Sequence, residues 1–218
     1  MFRKSSAASF GVICAIFGVI LFSAKAVIVK LAYQYQVDYL TLLLFRMVFS
    51  FPFYVAIVFW TKPSVPKAIT KKDWLWLIFF GCIGYYMASL FDFMGLQYLK
   101  AGLERIILFI YPTIVVLLSW VFFKKKLTKN QSIAIFVTYI GVFIAFWDEI
   151  GLQGEEVLLG GVLIFFSAVT YASYLVGSGW LIPKFGMIQF TSYAMIVSTI
   201  AVSIHFLWQG NYDLFQYP

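Results

Sequence analysis

The sequence predicts an all-α integral membrane protein with about seven transmembrane helices, and three observations carry that prediction. Hydrophobic residues make up 63% of the 218 residues and charged residues 11%, with a mean hydropathy of +0.92. Soluble domains carry roughly 25% charge. Apolar runs long enough to cross about 30 Å of hydrocarbon recur along the chain. The basic residues gather in short clusters between alternate runs, which is the bias that orients spans in a bilayer. The net charge of +7 is therefore a loop asymmetry and not a continuous basic face, and no nucleic-acid partner is expected.

In chain order, Arg3 and Lys4, an apolar run and Ala24-Lys25-Ala26 resemble a cleavable signal peptide. The apolar pattern continues to Tyr33 and further spans follow, so Phe10–Tyr33 reads as the first span. Span two is Tyr39–Trp60. The proline-containing linker Thr61–Lys72 is a loop with four lysines. Span three is Trp74–Tyr98, opening on Trp74 and Trp76 as an interfacial aromatic belt. Span four, Ala101–Phe123, carries only Glu104 and Arg105 as charges and closes on Lys124–Lys126. Its Pro112 deletes a backbone donor and frees the Leu108 carbonyl, so a kink and an internal position are expected. Span five is Ser132–Trp147. Asp148–Glu156 reads as a loop with four acids and no base. Leu158–Leu181 and Met187–Trp208 are spans six and seven, the last with His205 near its end. Cys14 and Cys82 lie in apolar runs and read as small core hydrophobes. Gly11, Ala15 and Gly18 read as a face for close helix packing.

Eleven basic residues fall on one side: Arg3, Lys4, Lys62, Lys67, Lys71, Lys72, Lys124, Lys125, Lys126, Lys129 and Lys184. The other side receives Lys100 alone among bases, with Asp38, Asp148, Glu149, Glu155, Glu156 and Asp213. The expected orientation has the N-terminus in the cytoplasm and the protein in the cytoplasmic membrane. Displacing the chain by 149 positions lays span one on span six, with Gly11 on Gly160, Phe17 on Phe166, Phe22 on Tyr171, Ser23 on Ala172 and Val27 on Val176. Five spans separate the copies, so the second enters from the opposite side. That is the pattern of an inverted-topology repeat, common in secondary transporters.

The stretch LQYLKAGLERIILFIYPTIVVLLSWVFFKKKLT, followed by a span ending YIGVFIAF, resembles helices four and five of EamA-like drug/metabolite transporters. Lys30 near the end of span one and Arg46 within span two sit where such proteins often carry a base. The resemblance covers about residues 10–208 and is most specific over Gln97–Thr128. A Gly-Glu pair frequent in the family is replaced here by the Lys124–Lys126 turn, so any role for that acid is absent. The resemblance implies ten helices in two inverted halves of five, with both termini cytoplasmic, and transport of small metabolites, amino acids or drugs. Residues 1–150 would form the first repeat, with five helices. Residues 151–218 would begin the second, with two helices, and the chain would stop after the seventh of ten.

Six charges fall inside spans, and an isolated charge there costs roughly 2.5–3.5 kcal/mol at a helix centre. By a rise of about 1.5 Å per residue, Arg46, Asp92 and Lys25 lie roughly 10–12 Å from the outer ends, and Glu104, Arg105 and Lys30 about 5–6 Å. Arg46 and Asp92 are too deep to snorkel easily and read as cavity residues; Lys30 and Arg105 read equally as structural side chains, paired between helices and snorkelling, or as residues of the site. Glu104 and Arg105 point about 100° apart and cannot both face one cavity. Tyr85, Ser89 and Asp92 share one face of span three, and Ser167, Tyr171, Tyr174 and Ser178 one face of span six; such hydroxyls line paths or join helices. His205 reads as an interfacial belt residue. The expected substrate path therefore comprises Arg46, Asp92, Lys25, Glu104, Tyr85, Ser89, Tyr171 and Tyr174, with Pro112 as the helix kink.

The six charges sum to +2, which favours a small-molecule partner with an anionic group. Asp92 and Glu104 are the intramembrane carboxylates open to proton coupling. The lipid bilayer is the other expected partner, and homodimer formation is left open. With no glycine-rich phosphate loop, HExxH or GxSxG, no cofactor, metal or enzyme activity is expected. The alternatives are an integral membrane enzyme, which would need a cluster of catalytic acids or a His/Asp set, and a non-transporting fragment or scaffold subunit.

Overall fold

The computed structural model describes residues 2–61, 69–124, 128–153 and 155–209, and every regular element among them is a helix. The helices are α1 (Phe2–Gln34), α2 (Tyr39–Trp60), α3 (Lys71–Gly81), α4 (Ala88–Tyr98), α5 (Ala101–Leu108), α6 (Tyr111–Phe123), α7 (Lys129–Gln153), α8 (Glu155–Phe185) and α9 (Met187–Gln209). A π-helical turn, Cys82–Met87, joins α3 to α4. Six stretches among the described residues are long and apolar enough to cross a membrane: Gly11–Gln34, Tyr39–Trp60, Lys71–Tyr98, Ala101–Phe123, Glu155–Phe185 and Met187–Gln209. The protein is an all-α, multi-pass integral membrane protein in contact with the bilayer. The span expected at Ser132–Trp147 lies in α7, whose apolar stretch Lys129–Ile144 is shorter than the other six.

Local sequence explains where the helices begin and end. Asp38 accepts hydrogen bonds from the Leu40 and Thr41 amides at the start of α2. Thr70 and Asp73 form a reciprocal capping box, so α3 starts at Lys71 within the expected loop. Lys62, Lys67, Lys125, Lys126 and Asp213 lie outside the described residues. Pro112 does more than kink span four. It sits in the first turn of α6, and Phe109–Ile110 form a turn that breaks the span into α5 and α6. Asp148–Gln153, expected as loop, extends α7, and Glu155 and Glu156 open α8, where acids favour the helix N-terminus. Gly186, at φ 82°, is the sole residue between α8 and α9, in the left-handed region that favours glycine.

The core has three parts. One is built by Ala26, Leu43, Met47, Phe93 and Phe206, joining α1, α2, α4 and α9. Another joins Leu103, Ile107 and Ile114 to Ile164 and Ala168 of α8. The third, at the lysine-bearing end, contains Leu77, Leu181, Phe185 and Phe190. Close approach depends on small residues: a Cβ on Gly160 would meet Leu99 Cγ at 2.7 Å, and one on Gly84 the Tyr174 ring at 2.2 Å. At Gly11 and Gly18, expected on a packing face, a Cβ would meet no atom of the described residues within 4 Å. Cys14 is exposed on α1, not in the core, while Cys82 is half-buried; both are free. Exposed Phe49, Phe53, Phe59 and Leu21 present an apolar outer surface suited to lipid.

At the basic end, Lys184 of α8 donates to Asp73 of α3 at 2.6 Å, and Gln189 of α9 donates to the Thr61 carbonyl at 2.8 Å. Lys184 thus joins two helix ends in addition to carrying loop charge. His205, near the end of α9, also ties helices together: its Nδ1 lies 2.9 Å from the Tyr86 hydroxyl of the π turn.

Candidate functional site

A cavity of about 440 Å³ lies between α1, α2, the π turn, α4, the α5–α6 break and α8. Six of the residues that line it form two stripes at i, i+4 and i+7. Gly18, Phe22 and Lys25 come from α1, and Tyr85, Ser89 and Asp92 from the π turn and α4. Ser167 and Tyr171 continue the lining from α8, and Arg46 reaches it from α2. Of the expected path residues, Arg46, Asp92, Lys25, Tyr85, Ser89 and Tyr171 border this one space. Tyr174 stands behind it, donating to the Tyr85 hydroxyl at 3.3 Å with ring centroids 4.9 Å apart. Glu104 does not border the cavity; it is fully buried beside it.

Lys25 is the hub of the charges. Its ammonium donates to Asp92 Oδ2 and lies 3.8 Å from Glu104 Oε1. Arg105 Nε is 3.3 Å from Glu104 Oε2, and its Nη2 donates to the Phe22 carbonyl at 2.6 Å, with the guanidinium over the Phe22 ring at 4.5 Å. Adjacent on one helix, Glu104 and Arg105 meet the cluster from different sides, as their 100° offset requires. Among the described residues, three acceptor atoms here are buried without a hydrogen-bond donor: Asp92 Oδ1 and both Glu104 carboxylate oxygens. Such a buried orphan costs about 1–3 kcal/mol, more when charged.

Arg46 differs from the other cations. Among the described residues it makes no ion pair; its guanidinium sits 5.6 Å from the centre of the Phe93 ring, a cation–π contact. Direct pairing of Arg46 with Asp92 is not what the geometry shows, because Lys25 holds Asp92. Lys30 donates to the Leu96 carbonyl at 2.9 Å, a half-buried tie between α1 and α4.

Hydroxyls divide between lining and fastening. Ser167 donates to the Ala88 carbonyl at 2.7 Å and ties α8 to α4, while Ser178 bonds back to Leu175 on its own helix. Sequence reasoning missed Phe22, Gly18 and Tyr111 as lining residues. The i, i+4, i+7 spacing of Gly18, Phe22 and Lys25 was a usable signal. Tyr111 had none, since only the break before Pro112 turns it toward the cavity, where it meets Tyr171 edge-to-face at 5.2 Å.

Residues 9–147 match the model of the EamA-like transporter family. An uncharacterized transporter of Bacillus subtilis, YcbK, is 28% identical over 93% of this chain and 65% of its own length. An uncharacterized transporter of Archaeoglobus fulgidus is 25% identical over 62% of this chain and 47% of its own. The chain thus spans less than two thirds of these relatives. No solved structure matches it.

Proposed function

This chain belongs to the EamA-like transporter family, and from that premise we propose that its cavity carries a small molecule with an anionic group across the cytoplasmic membrane by alternating access. The observation that carries the anion preference is Arg46. Lys25 and Arg105 are held by the two buried acids and Lys30 by a carbonyl, which leaves the guanidinium of Arg46 to supply the net positive charge at the cavity wall. A guanidinium without a carboxylate partner suits a bidentate contact with a carboxylate or phosphate.

Helix interruptions beside the cavity support a moving site. The Phe109–Ile110 break and the π turn both border it, and transporters place discontinuous helices at their binding sites. Residues 1–150 would supply one repeat and residues 151–218 the opening of its inverted counterpart, with the N-terminus cytoplasmic by the eleven-to-one basic asymmetry.

The test is electrogenic or radiolabelled flux in liposomes, with acetate and benzoate as first probes. Saturable flux should be lost in Arg46→Met, with a loss of thermal stability in detergent no larger than one cation–π contact, because among the described residues Arg46 makes no ion pair. Full flux in that variant would overturn the anion assignment.

A further inference from the structure

We propose that Asp92 and Glu104 together hold one exchangeable proton, with Lys25 serving whichever carboxylate is left ionised, so that the anion crosses together with a proton. The inference rests on the transport reading and adds its coupling ion.

Two acids from different helices, α4 and α5, converge on one ammonium from α1. Asp92 and Glu104 are 2% and 0% exposed, yet three of their four oxygens lack a donor among the described residues. Donors are short in this cluster by its own geometry. Arg105 approaches Glu104 through Nε without making a hydrogen bond, and its Nη2 is engaged by the Phe22 carbonyl. The other groups are turned elsewhere: Arg46 of α2 lies over Phe93, and Lys30 and Tyr33 of α1 donate to the Leu96 and Phe93 carbonyls. Tyr85 of the π turn, Tyr111 of α6 and Tyr171 of α8 line the cavity. His205 of α9 faces Tyr86. A proton is the donor this pair can acquire from water, since it converts one acceptor oxygen to O–H, and neighbouring carboxylates commonly share one in that way.

The route follows from burial. Asp92 borders the cavity and Glu104 does not. A hydronium in the cavity forms the O–H bond at Asp92 and leaves water behind; the contact with Lys25 is released, and the ammonium closes the 3.8 Å to Glu104 Oε1. Return of Lys25 expels the proton to water on the other side of the cycle. With both acids ionised, Lys25, Arg105, Asp92 and Glu104 sum to zero. With the proton they sum to +1, adding to Arg46, so proton and anion each favour binding of the other.

Infrared titration of the whole protein in lipid tests this without any substrate. The expected result is one protonated-carboxyl C=O stretch that titrates with pH and is lost in Glu104→Gln or Asp92→Asn. Either variant suffices if the other does not fold. Absence of the stretch at every pH where the protein is folded, or its survival in both variants, would overturn the proposal. A protein that shows the stretch but moves neither acetate nor benzoate keeps the proton site and loses the anion reading.

Discussion

Helices α1 and α8 are the pair that the 149-position displacement superposes, and they live in different surroundings. In α1, 12% of the most apolar window is buried; in α8, 44% is. Gly11 has open space around it, whereas its counterpart Gly160 is pressed against Leu99, Tyr98 and the Gly95 carbonyl. Yet the displacement also carries the stripe Gly18, Phe22, Lys25 onto Ser167, Tyr171, Tyr174; the first stripe lines the cavity throughout, and the second lines it at Ser167 and Tyr171, with Tyr174 behind. Similar patterns aim similar faces at the site, while burial of the remaining faces depends on which neighbours each helix meets. α8 is flanked by α4, α6 and α9. α1 leaves Val12, Ile16 and Ile20 exposed.

The sharpest way to break the likeness is at its chemically divergent position, Lys25 against Tyr174. Lys25→Met strands two buried carboxylates and should cost about 3–5 kcal/mol. Tyr174→Phe removes one hydroxyl bond to Tyr85 and should cost about 1 kcal/mol. Thermal unfolding in detergent reads both, and adding Asp92→Leu to Lys25→Met should restore most of the loss. Equal effects at the two positions would deny Lys25 its role as hub.

The glycine pair should give a smaller difference, of opposite sign. Gly160→Ala forces the α4–α8 crossing apart and should destabilise by about 1–3 kcal/mol. Gly11→Ala meets nothing and should be neutral, or stabilising by up to about 1 kcal/mol through helix propensity. The same thermal measurement compares them.

The smallest contrast is at the aromatic pair. Phe22→Leu removes the ring beneath the Arg105 guanidinium and should cost about 0.5–2 kcal/mol. Tyr171→Phe keeps the edge-to-face contact with Tyr111 and should leave stability unchanged, with its effect confined to the KM of anion flux. A stability loss at Tyr171 equal to that at Phe22 would make both rings structural.

By itself the sequence determined the membrane class, the ends of most spans and the family, because length and hydropathy are local quantities and a bilayer filters on both. It also picked out six of the residues that line the cavity, the charged ones because charges inside apolar runs are costly. Their pairing was not legible. Arg46 and Asp92 have similar depths, so depth alone could not show that Lys25 would take Asp92 and leave Arg46 at the cavity wall. Nor could it show that Asp148–Gln153 would stay helical, that Phe109–Ile110 would break span four outright, or that His205 would meet Tyr86. Those outcomes depend on lateral packing of helices distant in the chain. An ion pair or an interhelical hydrogen bond is set by side chains meeting across a gap of a few ångströms, and one-dimensional periodicity gives each helix a face without naming the helix that face will meet.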